Sequence, residues 1–230
     1  MGPNDIIHVN ADGFITSVTK AAGAHRVFQN DQELRLNDPS FDSKQIDQII
    51  GSESFRYTAD WAGEDKTKLF TTFTNKQMAD KFNNLEFGKI RDIYQQSTEP
   101  SIFDDFQGVS SQMYLASLGV SEFDFADDMA SFSRESGNAN PAGGVFPPDG
   151  TNGFVKFESG NMLYNGYDAG NFLTGKGFQL IGGSKAEIQA GADINNALSI
   201  RRRGFSIADS NSDQQAISAG FDYNGVQWKK

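Results

Sequence analysis

Apolar and polar residues alternate at the start of the chain, and the period lengthens toward helical spacing further on. Ile6-Ile-His-Val-Asn10, Ala-Asp-Gly13 and Phe14-Ile-Thr-Ser-Val18 read as two β-branched runs about an Asp-Gly turn, which predicts a hairpin. His25-Arg-Val-Phe28, Gln29-Asn-Asp-Gln32 and Glu33-Leu-Arg-Leu36 repeat the pattern. Helical spacing appears briefly in Lys44 to Ile50. After Asn75 it is sustained: Met78, Phe82, Leu85, Ile90, Ile93 and Tyr94 recur at three to five residue steps, with Thr74 or Asn75 as N-cap. Gln112–Leu118 and Phe123–Phe132 read as further short helices, and Phe103, Phe106, Phe123, Phe125 and Phe132 as a core stripe. Arg134 to Gly153 breaks all periodicity with Pro141, Pro147 and Pro148 and reads as a boundary loop. Beyond it, Ser184-x-x-Glu187 and Ser212-x-x-Gln215 fit capping boxes, the second opening a helix with Ala216, Ile217, Gly220 and Phe221 on one face.

These elements predict an α+β chain that is predominantly helical, in four consecutive segments. Residues 1–40 form a β-hairpin leader, 41–133 a helical region, 134–153 a Gly/Pro-rich loop and 154–230 the segment that carries the chemistry. Phe157-Glu-Ser-Gly-Asn-Met-Leu-Tyr-Asn-Gly-Tyr-Asp-Ala-Gly-Asn171 places glycines at 160, 166 and 170 beside carboxylates and phenols. Glycine weakens helices and strands alike, so such a run suggests a site on a Gly-rich hairpin rather than a core helix.

Charge and composition narrow the chemistry. Of 230 residues none is cysteine, so thiol nucleophiles, disulfides and Cys-ligated metals are excluded. The two histidines, His8 and His25, lie in strand-like segments far in sequence from the candidate site, which disfavours a Ser-His-Asp triad or a His-rich zinc centre there. The net charge of −10 is uneven: the first 151 residues hold 23 of the 30 acidic and 12 of the 20 basic side chains. The one basic cluster, Arg201-Arg202-Arg203, reads as a solvated loop, and the missing basic face disfavours a nucleic-acid binder. No apolar run reaches membrane-spanning length and no signal-peptide pattern opens the chain, so stable membrane insertion is not expected and export would fall to a separate carrier.

Carboxylates, amides and phenols remain. Glu158 follows the apolar run Phe154-Val-Lys-Phe157, a setting that favours the protonated form of an acid. Asp168 follows ten residues later, and a hairpin turned by Gly160 and Gly166 would bring the two acids to one cleft, as glycoside hydrolysis requires. Asn161, Tyr164, Asn165 and Tyr167 would line that cleft with hydrogen bonds and stacking faces. For each a structural role competes: asparagines close turns and tyrosines pack on cores. Asp209, Asp213 and Gln214 form a second polar cluster, in which helix capping is the default explanation for Asp213. Gly170-Asn-Phe-Leu-Thr-Gly175-Lys176-Gly177 spells a phosphate-loop pattern without its final hydroxyl and without a leading strand, and reads as a connection into Phe178–Ile181.

Taken in order, the 157–171 run, Gly182-Gly-Ser-Lys-Ala-Glu187, Ala190-Gly-Ala-Asp193, Asp213-Gln214, Ala219-Gly220 and Tyr223 resemble the bacterial polymorphic toxin type 44 family over the last third of the chain. The first segment resembles the short β region that precedes the toxic domain in Rhs-type carriers. The chain departs from the family pattern at Leu163, where relatives can carry a polar residue, and at Asn165 before Gly166. The resemblance implies a secreted antibacterial effector, a cognate immunity protein and a carrier or secretion apparatus. With the acid pair it suggests hydrolysis of peptidoglycan glycan strands in the target periplasm, without cofactor or metal: Glu158 the general acid, Asp168 or Asp213 the second carboxylate, Asn161, Tyr164, Asn165, Tyr167 and Gln214 binding substrate. A Mg²⁺-dependent nuclease toxin and a non-enzymatic carbohydrate or partner-binding module stand as alternatives.

Overall fold

A computed structural model describes residues 4–50, 68–83, 125–135, 153–186, 188 and 211–227. They form two compact units, each drawn from two stretches of chain: Met1–Thr74 with Ala126–Ala169, and Asn75–Phe125 with Gly170–Lys230.

The first unit is built on a seven-stranded mixed sheet: β1 (Asn4–Val9), β2 (Ile15–Ala21), β3 (Arg26–Gln29), β4 (Gln32–Leu36), β5 (Phe70–Phe73), β6 (Phe154–Phe157) and β7 (Met162–Tyr164), in the order β2-β1-β3-β4-β7-β6-β5. Its first half comes from two hairpins. In one, the Asn10 side chain accepts the N–H groups of Asp12 and Phe14 at 3.0 and 2.9 Å, and Gly13 takes a φ of +86°. A Cβ there would run into the Phe70 carbonyl, so the position needs glycine twice over. In the other, Asn30 and Asp31 both hold positive φ, 48° and 64°, as a two-residue primed turn demands. β1 and β3 then pair in parallel, joining the hairpins.

The second half is parallel and antiparallel by turns: β4 with β7 parallel, β7 with β6 antiparallel, β6 with β5 parallel. Two helices belong wholly to this unit, α1 (Pro39–Ile50) and α3 (Ala126–Glu135). Ile46 and Ile49 of α1 are fully buried with Ile7, Val9, Ile15, Val27, Leu34, Leu69, Phe70, Phe154 and Leu163. Phe73 meets Phe132 and Phe157 edge-on, with ring centroids 5.0 and 5.9 Å apart.

The second unit holds α2 (Asn75–Phe82), most of α4 (Gly166–Ile181) and α5 (Asn211–Asp222). A Cβ on Gly175 would strike the Ile217 carbonyl, and one on Gly220 the Phe172 carbonyl, so α4 and α5 cross backbone against backbone. Lys176 lies in this crossing, 2% exposed, its ammonium donating to Gln179 Oε1 at 2.8 Å and the Tyr223 carbonyl at 2.7 Å. Burial lowers its pKa to about 8. The Tyr223 hydroxyl donates to Asn75 Oδ1 at 2.6 Å.

The expectation of a predominantly helical chain is thus overturned: a seven-stranded mixed sheet organises the first unit, and the described residues contain five helices. The hairpins of residues 1–40 are no leader to a helical domain but four strands of that sheet. β5, β6 and β7 escaped the sequence reading for a physical reason. They are three or four residues long, and β6 is buried at every position, so it shows no alternation to read. Leu85 to Tyr94, Phe103 to Leu118, Phe123, most of the 134–153 loop, the arginine triplet and Asp209 lie outside the described residues. No helix among the described residues is long and apolar enough to cross a membrane.

Candidate functional site

Two neighbouring parallel strands, β4 and β7, each run straight into a helix, and the ends of open parallel strands are where such folds place ligands. After β4 the chain reads Asn37-Asp38-Pro39. Asp38 caps α1, accepting the N–H groups of Ser40 and Phe41 at 3.1 Å each, and Pro39 opens the helix where its missing N–H costs nothing. After β7 a single residue, Asn165, caps α4: its Oδ1 accepts the Asp168 N–H at 3.0 Å. The Asn37 N–H extends the ladder to the Leu163 carbonyl at 3.1 Å, which keeps the two caps side by side.

Four polar side chains meet between these caps. Asn165 Nδ2 donates to Asp168 Oδ2 at 2.9 Å and to Asp42 Oδ1 at 3.1 Å. Asn37 Nδ2 also donates to Asp168 Oδ2, at 2.8 Å, and the Asp38 N–H donates to Asp42 Oδ2 at 3.0 Å. Because the Asp168 N–H fixes Asn165 Oδ1 as an acceptor, the amide can face the carboxylates only with its NH₂. Asn37, Asp42, Asn165 and Asp168 are 5%, 0%, 4% and 2% exposed. Burial drives the Asp42 pKa up to about 8, against the hydrogen bonds from Asn165 and Asp38 and with a further push from the nearby Asp168 and Asp38 carboxylates. At neutral pH Asp42 is therefore mostly protonated beside Asp168, one amide away.

The sequence candidates divide around this cluster. Asp168 and Asn165 are in it. Glu158 is not: it sits exposed in the turn joining β6 to β7, its N–H bonded to the Phe73 carbonyl at 3.1 Å. The β6–β7 register sets Glu158 opposite Asn161, so four residues of strand, about 13 Å, separate it from the end where Asn165 and Asp168 lie. That exceeds either separation used by glycosidases, and the Glu158–Asp168 pair is not formed. Gly166 does not turn a hairpin toward it, but opens α4. Asn161 is exposed in the same turn, its carbonyl accepting the Arg35 N–H. Tyr164 is buried with its ring edge against Phe157, at 5.5 Å between centroids, as a core residue. Tyr167, on the first turn of α4, is 43% exposed. Asp213 and Gln214 belong to the second unit, where Asp213 accepts a hydrogen bond from Asn171 at 2.7 Å.

The phosphate-loop pattern is neither a loop nor a connection. Gly170 to Gly177 is the interior of α4, and Lys176 is turned into the crossing with α5. Among the described residues no group of three His, Asp or Glu side chains is placed to hold a metal ion. Asp42 went unnoticed in the sequence, yet Asp38-Pro39 is an N-cap and N1 signature that would have started α1 before Lys44 and put Asp42 on its first turn. No family model, curated protein or solved structure matches the chain.

Proposed function

We propose that this chain is a secreted antibacterial effector that hydrolyses peptidoglycan glycan strands, with Asp42 and Asp168 as its acid pair. The toxin class and the wall target come from the type 44 resemblance. The chemistry rests on one observation: two buried carboxyl groups are held on a shared amide, in a setting where burial favours the protonated form of Asp42. Bonds of 3.1 and 2.9 Å to one nitrogen keep Asp42 Oδ1 and Asp168 Oδ2 no more than about 6 Å apart, short of the separation inverting glycosidases use and compatible with the retaining one. In that scheme Asp42 protonates the leaving oxygen and Asp168 attacks the anomeric carbon. Asp42, now ionised, then takes a proton from the water that cleaves the glycosyl ester. With Asp42 and Asp168 at most 2% exposed, the scheme requires the first turns of α1 and α4 to part before a glycan can reach the pair.

A second reading draws on the burial itself. Four residues at most 5% exposed make a clamp on two helix caps, and a chain whose cluster only clamps would be a binding module for carbohydrate or a partner. Release of reducing ends from purified peptidoglycan separates the two. The hydrolase requires release by the wild type, with retained anomeric configuration, and none by a folded Asp168→Asn. Periplasmic expression should lyse cells. Toxicity confined to the cytoplasm with degraded nucleic acid would replace it with a nuclease, and equal toxicity of Asp168→Asn would favour the binding module.

A further inference from the structure

A second ionisable cluster, of buried Asp5 and His25 with exposed Asp47, lies at the start of β1, apart from Asp42 and Asp168. The parallel pairing of β1 with β3 begins at Ile6 opposite Arg26. One residue earlier a side chain replaces the ladder: the Asp5 N–H donates to His25 Nδ1 at 3.0 Å. The other ring nitrogen, Nε2, stands 3.0 Å from Asp47 Oδ1 on α1. A nitrogen that accepts from an amide carries no proton, so the ring is the Nε2–H tautomer, donating to Asp47. Asp5 is 6% exposed; its Oδ2 lies 4.0 Å from Nδ1, and its Oδ1 is buried without a hydrogen-bond partner. Among the described residues the ionisable groups within ion-pair distance of the ring are Asp5 from β1 and Asp47 from α1, while Arg26, next along β3, is committed to Glu33 at 2.7 Å.

This arrangement sets the Asp5 amide and the Asp5 carboxylate in competition for one nitrogen. The neutral Nε2–H ring can serve only the amide, and Asp5 Oδ1 goes without a donor. A ring protonated at Nδ1 can serve only the carboxylate.

We propose that Asp5, His25 and Asp47 form a proton-operated latch at the start of β1. Uptake of a proton at His25 Nδ1 breaks the bond from the Asp5 amide and replaces it with donation to the Asp5 carboxylate. The proton comes from solvent and stays on the ring; only hydrogen bonds are exchanged. The cationic ring then stands between carboxylates on β1 and α1, and the Asp5 amide gives up its bond to the ring just beyond the end of the β1–β3 ladder. Acidification therefore exchanges the amide-to-ring bond at residue 5 for an ionic tie from β1 to α1.

The test is ¹⁵N NMR of the full chain between pH 8 and 5, following the His25 ring nitrogens and the Asp5 amide, with His8→Phe to assign the second ring. At pH 8 Nε2 should carry the proton and Nδ1 should accept. On acidification Nδ1 protonates, and the Asp5 amide shifts and loses exchange protection at the same midpoint. In Asp5→Asn, which removes the carboxylate and keeps the backbone amide, that midpoint falls to lower pH. An Nδ1–H tautomer at pH 8, a ring that does not titrate in this window, a titration that leaves the Asp5 amide unmoved, or coincident midpoints in wild type and Asp5→Asn would each overturn the latch. If Asp5→Asn does not fold, the wild-type tautomer and amide decide.

Discussion

Asp42 carries the sharpest consequence of a single residue's placement. An acid whose folded pKa stands near 8 against an unfolded value of 3.8 binds its proton more tightly in the folded state. Its contribution to stability is full below about pH 4 and is lost as pH rises through about 8. We expect the first unit to be more stable at pH 5 than at pH 8.5 in urea melts, and Asp42→Asn to flatten that slope. A slope unchanged by the substitution would remove Asp42 as its source. The variant is not silent at acid pH either. Both Asp42 oxygens accept hydrogen bonds, so an amide must turn its NH₂ toward one of two donors, a loss of about 1–3 kcal/mol. None of this was legible before the fold, because Asp42 and Asp168 are 126 residues apart in sequence and meet only through the pairing of β4 with β7. Asp168 and Asn165 stood out for their company of glycines, and that company served another purpose.

At the scale of elements, Gly160 sits in the β6–β7 turn, Gly166 opens α4, and the glycines that mark helix packing lie further on. Gly170, Gly175 and Gly177 lie inside α4, and Gly175 and Gly220 let two helix backbones touch. A Gly→Ala change at an open helical position stabilises by about 0.4–1 kcal/mol through chain entropy, so the sign of the effect reports the packing. Gly175→Ala and Gly220→Ala each place a methyl against a carbonyl that cannot rotate aside. Each should lower stability by about 1–3 kcal/mol in chemical denaturation, and a gain in either variant would mean that the crossing is looser than the geometry shows. The hairpins of β1 to β4 were readable because their turns are written in Asp-Gly and Asn-Asp and their partners lie a few residues away. The face of α5 was readable too: Ala216, Ile217 and Gly220 are buried at helical spacing. β5 to β7 are too short to show a period, and although β6 and β7 pair locally, their places beside β5 and β4 are set by residues more than eighty positions apart.

For the whole molecule, the decisive feature is that the first unit is stitched from distant stretches. β5 pairs with β6 over Phe70–Phe73 and Phe154–Phe157, β4 pairs with β7, and Gln45 and Ser133 both donate to the Gly153 carbonyl. All four of these ties bridge the stretch between Ser133 and Gly153, which the sequence marked as a boundary. A break there would open the chain without removing a strand from the sheet, leaving the buried side chains Phe70, Phe154, Leu163 and Ile46 in contact with one core. We therefore expect the protein, cleaved at a protease site inserted between Gly143 and Gly144, to run on gel filtration as one species at its intact size. The fragments should separate only in denaturant, at a midpoint that falls on dilution because reassembly is now bimolecular. Independent elution of the fragments from native buffer, each folded by circular dichroism, would mean that the segment joins separable domains and that the sheet does not hold them together.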